Sequence, residues 1–338
     1  MTSVRVLVVD DSGAMRAAIR ALLARDPRIT VVAEAADGVS AVDLAIELRP
    51  DFVTMDVVMP RIDGLQATGA IMAQAPTRIL LVCDTTSPAD LDRAFEAIAA
   101  GALELLPKPR GGPEALRHWG DKLTEAIHLL SAVPVVGRRR ATRSSARPPA
   151  RKRVEVLGVV ASTGGPPAVA EILRKVSVKL PFAVLVAQHL AEGFTPGLAR
   201  WLAEASELEV VVASGTVAAR AGHIYLPADG HHLEVAAEGV VRARRTDDPF
   251  PPSGDRLLAS LAHVYGSRAG GVVLTGMGED GARGLLALRE AGGVTIAQEP
   301  ATCTVSGMPL AAIALGAPRF VLAIDAIAET IRTLATRG

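Results

Sequence analysis

Short apolar segments alternate with helix-patterned segments over residues 1–130, and no other feature constrains the fold of this chain as strongly. Between the apolar runs, hydrophobic residues recur at helical spacing, for example at Met15, Ile19 and Leu22. The five runs are Val4–Val9, Ile29–Ala33, Phe52–Met55, Ile79–Cys83 and Leu103–Leu106. Buried strands that alternate with amphipathic helices form parallel sheets covered on both faces. The pattern therefore predicts a doubly wound, five-stranded parallel α/β domain.

A second alternation of the same kind begins near residue 154. Residues 209–245, in the middle of this half, have the pattern of short strands and hairpins. The longer strand-like runs are Val154–Ala161, Phe182–Ala187 and Gly271–Thr275. This half is predicted to be a second α/β domain with a mostly parallel sheet.

A basic stretch separates the two halves. From Arg138 to Arg153 there are eight basic residues, no acidic residue and no apolar periodicity. We therefore predict a first domain at residues 1–130, a linker at 131–153 and a second domain at 154–338. We interpret the stretch as solvated chain, the alternative being a basic arm that binds an acidic partner.

Composition excludes several classes of protein. Outside the basic stretch the chain has 28 basic and 36 acidic residues, so we predict no nucleic-acid partner. Two cysteines without a CxxC motif form neither a disulfide framework nor a zinc site. No apolar run approaches the roughly 18 residues of a membrane span, and the N-terminus has no signal-peptide pattern. We expect a cytoplasmic protein without membrane insertion.

Acidic residues stand at the ends of the first and third predicted strands. Asp10 and Asp11 follow the first strand, Asp56 follows the third, and Lys108 follows the fifth. The carboxyl ends of parallel strands meet at one edge of the sheet, where three carboxylates repel one another unless a cation neutralises them. A hard cation such as Mg²⁺ fits this set, and a carboxylate beside it can accept a phosphoryl group. The alternative is that these acids only cap helices.

In the second domain, three polar residues follow three predicted strands. Ser162, His189 and Asp280 have the residue types of an activated serine, in which an imidazole takes the hydroxyl proton and a carboxylate orients the imidazole. Gly164 and Gly165 permit a sharp turn after Ser162. Singly, these residues are also typical of an N-cap, a satisfied polar group and a turn former.

Two further patterns compete with this interpretation. Gly276-x-Gly278-x-x-Gly281 follows an apolar strand, and Glu299 ends the next strand, as in a dinucleotide-binding fingerprint. That fingerprint comes late in its domain and leaves Ser162 and His189 unexplained. His231-His232 could be metal ligands, but a hairpin turn is the simpler interpretation.

The first domain resembles two-component receiver domains in the motifs VLVVDDSGAMR, MDVVMPRIDGL and PKP. The resemblance implies that Asp56 is the phosphoacceptor, that Asp10, Asp11 and Asp56 hold Mg²⁺, and that Lys108 contacts the phosphoryl group. A chemotaxis histidine kinase is then the phosphodonor.

Two receiver positions depart from the family pattern. Cys83 stands where the family usually has Ser or Thr to read the phosphate, and a thiol is a weak hydrogen-bond donor. Thr85 or Thr86 could substitute for it. Leu105 replaces the usual aromatic switch residue.

The second domain resembles the catalytic domain of the chemotaxis protein-glutamate methylesterases. The matching segments are GVVASTGGP, AQHLAEGFT, GHIYLP, LTGMGEDGA and ATCTVSGMP. The resemblance implies that Ser162 is the nucleophile, His189 the general base and Asp280 its orienting partner. The backbone amide of Met277 is then the oxyanion donor, with Thr163 next to the site.

The resemblance further implies a phosphorylation-regulated hydrolase of receptor glutamate methyl esters that also deamidates receptor glutamines. Its substrates are methyl-accepting chemoreceptors, and the esterase step needs no cofactor. In this family the unphosphorylated receiver restrains the hydrolase. A binding-only adaptor with an inert hydrolase-like domain remains the alternative from another functional class.

Overall fold

The computed structural model describes residues 3–133, 154–176, 180–248 and 251–335. The chain divides into two compact units, Met1–Arg138 and Arg139–Gly338. This division falls within the predicted linker, of which residues 134–153 lie outside the described residues. No helix in the described part of the chain is both long and apolar enough to cross a membrane.

The first unit contains a doubly wound, five-stranded parallel sheet, which confirms the prediction for this half of the chain. All strand pairs are parallel, in the order β2-β1-β3-β4-β5. The elements are β1 (Val4–Val9), α1 (Gly13–Leu23), β2 (Ile29–Ala35), α2 (Gly38–Leu48), β3 (Phe52–Asp56), α3 (Gly64–Gln74), β4 (Arg78–Cys83), α4 (Pro88–Ala100), β5 (Glu104–Pro107) and α5 (Pro113–Ser131).

The helices of this unit begin at side chains that cap them. The side chains of Ser12, Asp37, Asp63 and Ser87 each accept a hydrogen bond from an N–H group in the first turn of α1 to α4. Such caps satisfy donors that the helix itself leaves without an acceptor. Each of these helices therefore begins at a defined residue after the preceding strand.

The second unit contains the predicted parallel sheet and a small antiparallel one. Seven parallel strands have the order β15-β14-β13-β6-β7-β10-β8, and the second sheet has the order β11-β12-β9. The elements are β6 (Val156–Ala161), α6 (Gly165–Val176), β7 (Ala183–Gln188), α7 (Thr195–Ser206), β8 (Glu209–Ala213), β9 (Thr216–Ala218), β10 (His223–Pro227), β11 (His231–Ala237), β12 (Val240–Arg245), α8 (Gly254–Tyr265), β13 (Ala269–Val273), α9 (Ala282–Glu290), β14 (Val294–Gln298), α10 (Gly307–Ala314), β15 (Phe320–Leu322) and α11 (Ile324–Ala335). The "mostly parallel" prediction is confirmed.

The strand order places a topological switch point beside β6. From β6 the chain adds β7, β10 and β8 on one side, and later β13, β14 and β15 on the other. The loops after β6 and β13 therefore diverge and leave a crevice at the carboxyl edge, where ligands bind in open α/β sheets.

One apolar core joins the small sheet to the large one through α8. Leu257, Leu258 and Leu261 on α8 are fully buried and belong to the same cluster as Leu233 of β11 and Val160 of β6. Burial of each such side chain stabilises the fold by roughly 1.5–3 kcal/mol. This packing fixes the position of the N-terminus of α8 relative to the end of β6.

Candidate functional site

The backbone around Ser162 is held from three directions. Its N–H group donates to the carbonyl of Thr275 at 3.0 Å, and its own carbonyl accepts from the N–H of Gly165 at 2.7 Å and from Nε2 of Gln188 at 2.9 Å. Ser162 itself is partly exposed. The turn after β6 is therefore rigid while Ser162 stays accessible.

Close backbone approach in this corner requires glycine. A Cβ atom on Gly276 would lie 2.7 Å from Cβ of Ser162 and 2.2 Å from Sδ of Met308. A Cβ atom on Gly165 would lie 2.1 Å from Oε1 of Gln188. Larger residues at either position would displace Ser162 from its neighbours.

His189 lies beside Ser162 because β6 and β7 pair in parallel. Ala161 faces Gln188 in the register, and the N–H of His189 donates to the carbonyl of Ala161 at 2.9 Å. Its Nε2 atom is 2.8 Å from Oδ2 of Asp280. The two side chains are each 24% exposed, so the pair is partly shielded from solvent.

The Asp280 carboxylate is bound at the N-terminus of α8. It accepts hydrogen bonds from N–H of Gly254 at 2.6 Å, from N–H of Asp255 at 2.9 Å and from the hydroxyl of Ser253 at 3.2 Å. Burial by itself raises the pKa of Asp280, but the hydrogen bonds from His189, Asp255 and Gly254 outweigh it and hold the pKa at about 2. The carboxylate is therefore ionised at neutral pH.

An ionised Asp280 decides which nitrogen of His189 carries the proton. Since the carboxylate can only accept, the neutral imidazole donates from Nε2 and keeps its lone pair on Nδ1. The nitrogen available as a base is thus Nδ1. In the structure His189 is hydrogen-bonded to Asp280, and His189 follows β7 at the level where Ser162 follows the neighbouring strand β6.

Thr163 and Met277 also lie in this corner. Thr163 is buried, and its carbonyl accepts a hydrogen bond from Oγ1 of Thr275 at 3.0 Å. Met277 is partly exposed and directly follows Gly276, which packs against Ser162. Among the described residues, no acceptor is hydrogen-bonded to the N–H of Met277.

The start of α9 gives no support to the dinucleotide-binding alternative. The carboxylate of Asp255 accepts from the N–H of Gly284 in the first turn of α9 at 2.8 Å, and burial raises the pKa of Asp255. An acidic side chain thus occupies the place where a pyrophosphate would bind. Asp280 and Asp255 cap each other's helices, which locks α8 to α9.

The predicted acidic cluster forms at the carboxyl edge of the first unit. One carboxylate oxygen from each of Asp10, Asp11 and Asp56 lies within 4.8 Å of the others. Nζ of Lys108 is 2.7 Å from Oδ2 of Asp56 and 3.3 Å from Oδ2 of Asp10. Among the described residues this is the one cluster of acidic, histidine or cysteine side chains close enough to share a metal ion.

The charges in this cluster are only partly compensated. Burial and the charge of Asp10 raise the pKa of Asp56 to about 6, against the opposing effect of Lys108. Burial also raises the pKa of Asp10, whose buried Oδ2 atom has only the longer contact with Nζ of Lys108, at 3.3 Å, among the described residues. Burial lowers the pKa of Lys108, but its contacts with Asp56 and Asp10 outweigh this and raise it. The donor set therefore fits a divalent cation, which would relieve the remaining repulsion.

The two departures from the receiver pattern are both buried. Cys83 ends β4 with its thiol against the carbonyls of Asp84 and Asp90, and burial raises its pKa to about 12. Leu105 is 4% exposed and lies inside β5. The hydroxyl of Thr86 donates to Asp84 at 2.7 Å.

Three residues support this candidate site in ways that the sequence pattern did not indicate. Gln188 holds the carbonyls of Ser162 and His189, and Ser253 binds Asp280. His232 is buried rather than part of a turn, and it contacts Ser253. A buried glutamine at the end of an apolar strand is itself a signal, because such a group needs partners.

Comparison with known proteins gives two family matches. The CheB methylesterase family matches residues 157–331, and the response regulator receiver domain matches residues 6–118. Protein-glutamate methylesterase/protein-glutamine glutaminase 3 of Myxococcus xanthus is 50% identical over 311 residues, or 92% of this chain and 88% of that protein. The protein of the same name from Anaeromyxobacter dehalogenans is 44% identical over 337 residues, or 97% of this chain and 98% of that protein. The crystal structure of the Thermotoga maritima CheB methylesterase catalytic domain is 33% identical with a TM-score of 0.51, covering 54% of this chain and 98% of that domain.

Proposed function

The chain belongs to the CheB methylesterase family and carries a response regulator receiver domain, and from this we propose that it hydrolyses glutamate methyl esters on chemoreceptors. We further propose that it deamidates receptor glutamines and that it acts in the cytoplasm. The observation that carries the proposal is the His189–Asp280 pair beside Ser162, because an imidazole oriented by an ionised carboxylate is what a serine needs to become a nucleophile.

In the proposed first step, Oγ of Ser162 attacks the side-chain acyl carbon and Nδ1 of His189 takes the hydroxyl proton. The carbonyl oxygen becomes an oxyanion that accepts a hydrogen bond from the N–H of Met277, with Thr163 adjacent. The C–O or C–N bond then breaks, His189 returns the proton to the leaving group, and methanol or ammonia departs. An acyl-enzyme on Ser162 remains.

In the second step, water attacks the acyl-enzyme while His189 again acts as the base. The bond to Ser162 breaks, its oxygen regains the proton, and the product is a glutamate side chain. Asp280 stays ionised throughout, because its pKa of about 2 is far below neutral pH, and its charge stabilises the imidazolium that forms in each step. The proposed step requires no cofactor.

The receiver half supplies the proposed control. Asp56 accepts a phosphoryl group from a histidine kinase, Lys108 contacts that group, and Asp10, Asp11 and Asp56 hold Mg²⁺. When bound, Mg²⁺ would supply positive charge that offsets the carboxylates and the incoming phosphoryl group. The single lysine shared by Asp10 and Asp56 and the raised pKa of Asp56 support this assignment. Phosphorylation of Asp56 is expected to raise hydrolase activity.

The test is methanol release from methylated receptor membranes by the full chain, with and without acetyl phosphate and Mg²⁺. We expect release that acetyl phosphate stimulates, no release by Ser162→Ala, and no stimulation in Asp56→Asn. Ammonia release from receptors with glutamine at the same positions tests the deamidase activity. Absence of release from the folded wild type would overturn the proposal in favour of the adaptor.

A further inference from the structure

A second histidine lies behind the candidate active site. His232, the second residue of β11, is 3% exposed, and both of its ring nitrogens are hydrogen-bonded. Its Nδ1 atom accepts from the backbone N–H of Ser253 at 2.9 Å, and its Nε2 atom is 2.8 Å from Oδ2 of Asp248. Since Nδ1 accepts from an N–H group, the proton of the neutral ring is on Nε2 and is donated to Asp248.

This histidine is linked to the catalytic carboxylate through one residue. Ser253 is the N-cap of α8, and its hydroxyl donates to Oδ1 of Asp280 at 3.2 Å. The next two residues, Gly254 and Asp255, donate their N–H groups to the same carboxylate. Nδ1 of His232 thus fixes the backbone at Ser253. Ser253 is the first of three consecutive residues that donate hydrogen bonds to the carboxylate of Asp280.

We propose that His232 is a positioning residue for the hydrolysis. By accepting the N–H of Ser253, it sets the start of α8, which places Asp280, which in turn orients His189. This inference rests on the proposed function and deepens it by adding a residue that touches neither substrate nor the reacting atoms. Small displacements of a catalytic group can cost about 100-fold in rate.

Two other roles, joint binding of one partner by His231 and His232 and simple apolar packing of His232, fit the structure less well. The neighbouring His231 points Nδ1 to the carbonyl of Asp229 at 2.8 Å, so the two rings serve different partners. A purely apolar role for His232 would leave the N–H of Ser253 without an acceptor inside the protein, which is costly.

Two substitutions separate the acceptor from the bulk of the ring. In His232→Asn, the side-chain oxygen can occupy the place of Nδ1 and accept from Ser253. Asp248, which is 48% exposed, then keeps its contact with Nη2 of Arg256 at 3.4 Å. In His232→Gln, the longer amide can reach Asp248 but presents no acceptor at the Nδ1 position. His231→Asn is the matched control, because it changes the same residue type in the same strand.

We expect kcat for methanol release to fall about 10- to 100-fold in His232→Gln with KM unchanged. His232→Asn is expected to stay within about threefold of wild type, and so is His231→Asn. Ser162→Ala run beside them shows whether the release is the serine reaction at all. Equal kcat in His232→Gln and wild type, or equal losses in Asn and Gln, would overturn the positioning role.

A readout without substrate keeps the inference separate from the proposed function. The proton on Nε2 of His189, hydrogen-bonded to Asp280, is expected as a downfield imidazole signal in proton NMR of the full chain, assigned by its loss in His189→Gln. His232→Gln should shift or broaden this signal, while His232→Asn and His231→Asn should keep it. If the wild type releases no methanol, the proposed function fails, and this spectrum alone decides the role of His232. An unchanged signal in His232→Gln would refute it.

Discussion

Replacing Asp280 by asparagine removes one charge and introduces two unwanted donors at the centre of the site. In the structure four donors converge on the carboxylate: His189 and the N–H of Gly254 on Oδ2, and the N–H of Asp255 and the hydroxyl of Ser253 on Oδ1. In Asp280→Asn one oxygen becomes an NH₂ group. Either orientation of the amide sets this group against a backbone N–H that has lost its acceptor.

The stability cost follows from the pKa of the carboxyl group. The folded protein holds the pKa of Asp280 at about 2, compared with an ordinary value of 3.8. The difference between these two pKa values corresponds to about 2 kcal/mol of stabilisation by the ionised form. Since the pKa is lowered on folding, this contribution is complete above the ordinary value and is lost as the pH falls through about 2. We therefore expect Asp280→Asn to lower the free energy of unfolding at pH 7 by about 2 kcal/mol, and the difference to vanish towards pH 2.

The kinetic cost follows from the imidazole tautomer. If the amide NH₂ faces His189, Nε2 must accept rather than donate, and the ring proton moves to Nδ1, where it blocks the base. If it faces Asp255 instead, the first turn of α8 loses its acceptor and His189 loses the charge that stabilises its protonated form. We expect kcat to fall about 1,000-fold or more.

The assay pairs methanol release with urea unfolding of the full chain. The chain has two tryptophans, so a Trp119→Phe background leaves Trp201 in α7 as the reporter of the second unit. Glu279→Gln is the matched control, because it removes the same charge one position earlier from a side chain that is 74% exposed. A variant that unfolds like the control at pH 7 and keeps kcat within about tenfold would refute the reasoning.

Four further substitutions or conditions test other parts of the structure. Gly276→Ala should abolish methanol release, because the added methyl group would lie 2.7 Å from Cβ of Ser162, while the receiver should still accept phosphate. Full activity in this variant would contradict the packing described. Gln188→Glu should lower kcat about 10- to 100-fold, because a carboxylate would face the carbonyls of Ser162 and His189 to which the amide now donates. Gln188→Met is the comparison variant, because it removes the donors without adding a charge. Chelation of Mg²⁺ by EDTA should prevent labelling of Asp56 by acetyl phosphate without changing basal methanol release, and metal-independent labelling would argue against the assigned ligand set. Cys83→Thr should increase the stimulation of hydrolysis by acetyl phosphate, because a hydroxyl replaces a weak donor at the end of β4; no change would show that the phosphate is read elsewhere.

The site residues at strand ends could be predicted because polar residue types of known chemistry directly follow apolar runs that read as neighbouring parallel strands. Parallel strands bring their carboxyl ends to one edge, so Ser162 and His189 had to be close once β6 and β7 were neighbours. Asp10 and Asp56 follow the same rule in the first unit. Strand limits were less predictable. Thr275 was assigned to a strand, but its N–H donates to the side chain of Gln298 and its carbonyl accepts from Ser162, so it has left the ladder to form part of the site.

The residues behind the site could not be found from sequence patterns because their partners are distant in the chain. Ser253 has the appearance of an ordinary N-cap, and only the packing of α8 against β6 and α9 turns its hydroxyl towards Asp280. His232 was interpreted as part of a turn because its neighbours Asp229 and Gly230 are turn formers. The hairpin of β11 and β12 follows from the local pattern, but the burial of His232 depends on the packing of this hairpin against the start of α8, which is distant in the chain.

The reciprocal capping of α8 and α9 by Asp280 and Asp255 also predicts which site residues would be substituted first if selection for activity were lost. Asp280 closes the start of α8 and Asp255 closes the start of α9, so each acid is retained by the stability of the other's helix as well as by chemistry. Among the described residues, Ser162 makes hydrogen bonds through its backbone and none through its hydroxyl, so the hydroxyl does not stabilise the fold in this way. A descendant that had lost hydrolysis would then be expected to lose the serine first and to keep the aspartate, so that an intact Asp280 would be a poor marker of activity and Ser162 a good one.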